Sequence, residues 1–85
     1  MKVKVLYFAS LREQVGKASE EVELPPAAAT LGDLRTHLIA RGGAWEKSFA
    51  ENRMVRMAVN QDLAPSSTAI KAGDEVAFFP PVTGG

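Results

Sequence analysis

The chain opens on an alternation. Residues 2–8 read KVKVLYF, which places Val3, Val5 and Tyr7 on one face of an extended segment and Lys2, Lys4, Leu6 and Phe8 on the other. β-Branched and aromatic residues in that rhythm predict a strand whose valine face meets the core. Leu11 and Val15 then lie one helical turn apart between Ser10 and Gly16, which predicts a short helical turn closed by the glycine. Ser19 to Leu24 alternates again, with Glu21 and Glu23 turned away from Val22 and Leu24, until Pro25-Pro26 stops the strand.

The period changes at Thr30. Thr30-Leu31-Gly32-Asp33 has a hydroxyl followed three residues later by an acid, a helix start in which each side chain satisfies the other's free amide. Leu31, Leu34 and Leu38 form one apolar stripe, and Gly42-Gly43 ends it. Trp45 and Phe49, one turn apart, predict a short second helix over the edge of the core. Met54 to Asn60 returns to alternation, with Val55, Met57 and Val59 on one face. Asn60-Gln61 reads as a turn, Pro65 to Thr68 as a loop and Ala72-Gly73 as another turn. Asp74 to Phe79 is the last strand, with Val76 and Phe78 on one side and Glu75, Ala77 and Phe79 on the other.

Strands therefore outnumber the one main helix, whose narrow stripe can cover only one face of a sheet. The fold class expected is α+β, a mixed sheet of four to five strands with the helix on one side. The other side stays open, and it carries Leu6, Phe8 and Phe79. Clustered exposed apolar side chains mark a partner surface. Burying three of them yields about 1.5–3 kcal/mol each, whereas association costs about 4–15 kcal/mol before any surplus appears. Such a patch alone does little better than break even, so something beside it must also bind.

Eighty-five residues make one small domain, expected to span 1–81 with a flexible tail over 82–85. Ten basic residues balance ten acidic ones with no basic stripe, which argues against a nucleic-acid partner. Cysteine is absent, so disulfides, thiolate metal sites and a cysteine nucleophile are excluded, in keeping with a cytoplasmic protein. The apolar run from Val5 to Leu11 is short and meets Arg12-Glu13, unlike a leader, and no stretch suits a membrane. His37 is the only histidine, and nothing nominates catalytic or metal-binding partners for it. Gly42-Gly43 lacks the lysine and hydroxyl of a phosphate loop. The carboxylates Glu20, Glu21 and Glu23 read as a solvated strand edge. No internal active site is expected, and no metal.

What remains is the ending, AFFPPVTGG. Pro80-Pro81 cannot continue a central strand and favours extended geometry. From there to Gly85 the chain reaches about 16 Å at ~3.3 Å per residue, enough to enter a neighbouring protein. Gly84 and Gly85 present only backbone to a channel. A terminal carboxylate is ionised near neutrality, with a reference pKa of about 3.3–3.7, and is a poor electrophile until converted to a mixed anhydride. Glycine leaves that carbonyl unhindered.

VLYFASLRE near the start, AVNQ at residues 58–61 and AGDEVAFFPPVTGG at the end, together with the length, resemble the small, sulfur-carrying subunit of molybdopterin synthase. The resemblance spans the chain and is most specific over Gly73 to Gly85. It implies a ubiquitin-like β-grasp fold. The Gly85 carboxylate would be adenylated by an E1-like partner that consumes ATP, then converted to a thiocarboxylate with sulfur from a donor protein. Val82, Thr83 and Gly84 would thread with Gly85 into the large synthase subunit, and sulfur would pass to cyclic pyranopterin monophosphate. The carrier itself would bind no cofactor and would not be an enzyme alone, since catalytic residues would belong to the large subunit of a heterotetramer. The docking surface implied is Phe8, Leu63 and Phe79, with Leu6 from the alternation pattern and Arg12 as a polar contact.

Three other readings share the tail. A thiamine-pathway carrier also ends in Gly-Gly. A ubiquitin-like modifier would use the same activated Gly85 against lysine amines. An interaction module would leave the tail inert.

Overall fold

The computed structural model describes residues 1–50 and 52–81. The expected tail, 82–85, lies outside the described residues. Five strands and three helices run in the order β1 (Lys2–Tyr7), α1 (Ala9–Val15), β2 (Ser19–Glu23), α2 (Leu31–Ile39), α3 (Gly43–Phe49), β3 (Arg56–Val59), β4 (Asp62–Leu63) and β5 (Glu75–Phe79). The strands form one sheet in the order β2-β1-β5-β3-β4. β1 pairs in parallel with β5, and every other pairing is antiparallel. This is the mixed sheet expected, at its upper strand count. The Cα radius of gyration is 11.9 Å, close to the ~12 Å of a compact chain this long.

The predicted core face of β1 is correct: Val3, Val5 and Tyr7 are buried, as are Val76 and Phe78 on β5. Register explains the match. Val5 lies beside Val76 and Tyr7 beside Phe78, with Met57 completing the row across β3. Leu31, Leu34 and Leu38 of α2 are fully buried against this face. The start of α2 is the expected reciprocal cap: Asp33 N–H donates to Thr30 Oγ1 at 3.2 Å, and Asp33 Oδ2 accepts from the Thr30 amide at 3.1 Å. Such a cap contributes about 0.5–2 kcal/mol.

The short helix α3 packs more deeply than its sequence indicates. Phe49 lies within the core and joins Tyr7, Phe78 and Trp45 in one aromatic cluster, with ring centroids 5.1–6.3 Å apart. Edge-to-face pairs of that kind add about 0.5–1.5 kcal/mol beyond area burial. Both α3 aromatics therefore serve the helix-covered face, and neither folds over the other side.

Three local expectations are corrected. The third alternating strand is shorter than Met54–Asn60: it covers Arg56–Val59, and Met54 is 79% exposed outside it. Its alternation is also imperfect, because Ala58 is buried on the face opposite Met57. The reason is its size, since Ala58 is flanked in register by Leu63 and Ala77. Finally, Phe8 follows β1 rather than belonging to it. It is the N-cap of α1, after which Ala9 takes a left-handed backbone (φ 52°) that turns the chain sharply out of the sheet.

Candidate functional site

Along the uncovered face, cross-strand partners share a side. One row runs Leu63, Ala58, Ala77, Leu6, Ser19 from β4 to β2. Leu63 and Leu6 thus flank a floor of two alanines, about 14 Å apart at ~4.8 Å per strand. The next row toward the end of β5 holds Arg56 and Phe79. Phe8 extends it, because its amide donates to the Phe78 carbonyl at 3.1 Å and carries the β1–β5 ladder one residue further. The structure therefore brings Leu6, Phe8, Leu63 and Phe79 onto one surface. Leu63 is 69% and Phe8 47% exposed, while Leu6 and Phe79 are half-buried. Arg12 stands apart from the strands on α1, exposed and without an ion pair among the described residues.

The chain leaves the sheet at this same end. Phe79 closes β5, and Pro80-Pro81 follow directly. Val82, Thr83, Gly84 and Gly85, the proposed tail residues, lie outside the described residues.

Opposite the aromatic end of the patch, the face is polar, with lysines and glutamates in cross-strand register. Lys4 lies beside Glu21 on one side and Glu75 on the other, and Lys2 faces Glu23. Beside β3 and β4 a hollow of about 390 Å3 is lined by Val55, Arg56, Met57, Leu63, Ala64 and Pro65. It adjoins the patch through Leu63 and Arg56.

Sequence reasoning missed one polar cluster on the helix side. Glu20 is not a solvated edge carboxylate: its Oε2 accepts from the Tyr7 hydroxyl and from Arg41, each at 2.8 Å, and Oε1 accepts a second Arg41 bond at 3.2 Å. Arg41 also covers the Trp45 ring at 4.5 Å. Burial alone would raise the Glu20 pKa, but the bonds from Arg41 and Tyr7 and the Arg41 charge outweigh it, so the carboxyl sits below its ordinary value. Burial, then the Glu20 bond, push the Tyr7 phenol up and keep it a donor. The cluster ties β1, β2 and the end of α2 together and is satisfied internally. Its only sequence signal was Glu20 falling on the same face as Val22.

Among the described residues no three His, Cys, Asp or Glu side chains are grouped to hold a metal. None of the described helices is long and apolar enough to cross a membrane. The candidate functional surface is the open apolar face at the end of β5.

Residues 5–85 match the ThiS family. The chain belongs to it. The match runs through Gly85, so it takes in the tail as well as the sheet. Within the ThiS family this chain is similar to the molybdopterin synthase sulfur carrier subunit of Haemophilus influenzae, at 41% identity over 83 residues covering 98% of this chain and 99% of that one. Among solved structures, SAMP1 of Haloferax volcanii, a small archaeal modifier protein, has a TM-score of 0.80 at 31% identity with both chains fully covered. A chain from the complex of subunits 1 and 2 of the Helicobacter pylori molybdopterin-converting factor has a TM-score of 0.67 with full coverage. At 23% identity that likeness is one of fold. The β-grasp expectation is thus correct for this ThiS-family chain.

Proposed function

We propose that this ThiS-family chain is the sulfur carrier subunit of a molybdopterin synthase. The observation that carries the reading is the 41% identity to a molybdopterin synthase sulfur carrier subunit over 98% of the chain, with the family match continuing to Gly85 and the last strand ending beside an exposed apolar face. An E1-like enzyme adenylates the Gly85 carboxylate with ATP and releases pyrophosphate, and a sulfide-level sulfur nucleophile supplied by a donor protein displaces AMP to leave a thiocarboxylate. The charged carrier then docks on the large subunit through Phe8, Leu63, Phe79 and Leu6, with Arg12 as a polar contact. Val82, Thr83 and Gly84 place the thiocarboxylate in the large subunit's active site, where it gives sulfur to cyclic pyranopterin monophosphate. Two carriers serve the two sulfurs of the dithiolene, within a cytoplasmic heterotetramer. The carrier holds no cofactor of its own.

The decisive experiment is deletion of Gly85. Sulfur delivery in a reconstituted synthase should fall to background, and the oxygen-to-sulfur mass change seen in the charged wild-type protein should vanish. The thermal midpoint should stay within about 4 °C, the equivalent of about 1 kcal/mol in a domain this small. Undiminished product from the truncated chain would overturn the reading.

The likeness to a small archaeal modifier protein favours one second reading, conjugation through Gly85 to lysine amines. An acyl-adenylate accepts nitrogen as well as sulfur nucleophiles. Branched lysine conjugates in intact-mass analysis of the native cells would establish that activity, and their absence beside a thiocarboxylate would dismiss it.

A further inference from the structure

The two ends of the open face differ in charge. At the end remote from the tail, each lysine of β1 has a glutamate as cross-strand neighbour. At the tail end Arg56 lies directly across from Phe79. It is exposed, and no acceptor or carboxylate among the described residues pairs with it. The nearest acid along that face of β5 is Glu75, four residues from Phe79, or about 13 Å at ~3.3 Å per residue. That exceeds the Debye length of about 8 Å at physiological ionic strength. Among the described residues this guanidinium therefore has no charge partner at the end of β5.

Arg56 is also the one charged residue lining the hollow described above. The other walls, Val55, Met57, Leu63, Ala64 and Pro65, are apolar. Leu63 belongs at once to the hollow and to the exposed row of the sheet, so the cavity continues the docking face rather than lying apart from it. It is open to solvent, which suits a protruding side chain of a large partner better than an enclosed small molecule.

We infer that this hollow is a socket for a segment of the large synthase subunit that presents an acidic side chain next to an apolar one. The apolar side chain fills the space between β3 and the loop after β4, and the carboxylate pairs with Arg56. The inference rests on the carrier reading above and adds the chemistry of the partner. Its physical advantage follows from the weakness of the apolar patch alone. A guanidinium fork matches a carboxylate in two parallel bonds, and a cation beside the tail exit orients the approaching partner before the apolar surfaces touch. Charges at the edge of an interface act chiefly on association rate and salt dependence.

The test measures binding of the full chain to the isolated large subunit by stopped-flow mixing across a series of salt concentrations. Arg56 is exposed on the sheet surface, so Arg56→Lys, Arg56→Gln and Arg56→Glu should all fold with unchanged amide spectra. The expected order of association rates is Arg, Lys, Gln, Glu, with Arg56→Glu slowed about tenfold or more at low salt and its salt dependence flattened or reversed. Leu63→Ala should mainly raise the dissociation rate.

If the wild type binds, and Phe8→Asp weakens binding while the three Arg56 variants bind alike, the socket is wrong and the carrier reading stands. If the wild type itself does not bind the large subunit, both fall. A concentration-dependent dimer of the chain alone that Arg56→Glu abolishes would assign the socket to a second copy and also overturn the inference.

Discussion

The two faces of the sheet are built from neighbouring residues of the same strands, yet they do opposite work. Phe78 and Phe79 are adjacent on β5. Phe78 is fully buried in the aromatic cluster with Tyr7 and Phe49, whereas Phe79 stands half-buried across from Arg56 on the uncovered side. The covered face has every helix behind it. The open face has small floor residues, Ala58 and Ala77, between larger rims. A thin domain can hold a partner surface in this way because period-two alternation separates what stabilises it from what it offers to others.

The largest expected effect breaks that separation from the covered side. Phe78→Ala should cost about 3–5 kcal/mol through lost burial and the cavity left behind. Stability for a chain this size is about 4–13 kcal/mol at 0.05–0.15 kcal/mol per residue, so urea unfolding should show a protein near the edge of folding. Phe79→Ala, one residue away, should shift the same curve by about 1 kcal/mol or less. Equal losses from the two variants would mean that the open face is also core.

The next test works from the open side. Phe8→Asp places a charge in the patch and should weaken binding to the large subunit at least about thirtyfold, the equivalent of about 2 kcal/mol for an apolar anchor. Its interest lies in the fold. Phe8 occupies the N-cap of α1 with extended backbone (φ −122°, ψ 155°) and no side-chain cap bond, a position where aspartate is favoured. The variant should therefore melt no lower than wild type. Weaker binding by a chain of undiminished stability is the expected result of calorimetry and thermal unfolding together.

Which parts of this were legible beforehand follows from how local each signal was. The α2 stripe and its cap lie within ten residues, and the sequence dictated them correctly. The alternation of β1 and β5 identified both faces without knowledge of strand order. The pairing of Glu20 with Arg41 was not legible, because the two lie 21 positions apart and only the packed fold brings them together. Arg56 carried no signal until the β3–β5 register placed it opposite Phe79. The depth of Phe49 was hidden for the same reason: a pair of aromatics one turn apart says that a helix has an apolar side, not how far that side sinks. Gly84 and Gly85 were singled out by their chemistry and Val82 and Thr83 by the family resemblance, and Val82 to Gly85 lie outside the described residues.

The smallest expected effect concerns acid, and it sharpens the comparison by acting where the two faces meet. Asp74 is buried just before β5. Its Oδ2 accepts from the Lys71 amide at 2.9 Å, and its Oδ1 accepts from the Asn60 side chain at 3.1 Å. The Lys71 amide bond lowers its pKa, burial opposes this, and the Asn60 bond adds to the lowering. Glu20 and Asp33 are likewise held below their ordinary values. A carboxyl whose folded pKa is depressed contributes stability that is fully present above its unfolded value, about 3.9 for aspartate and about 4.3 for glutamate, and lost as pH falls through the folded value. The urea midpoint should therefore hold steady from pH 7 to about 5 and fall below about pH 4. Asp74→Asn should lower the midpoint near neutrality and make the acid decline shallower, since one of the protonating groups has gone. Because Asn60 also accepts from the Glu75 amide at 3.0 Å, the loss should loosen the start of β5 while leaving Phe79 and the tail exit in place. Amide exchange should rise at Glu75 and Val76 before it rises at Phe78. A uniform rise along β5 would mean that its two ends are a single unit, and that the tail cannot be held independently of the turn that begins the strand.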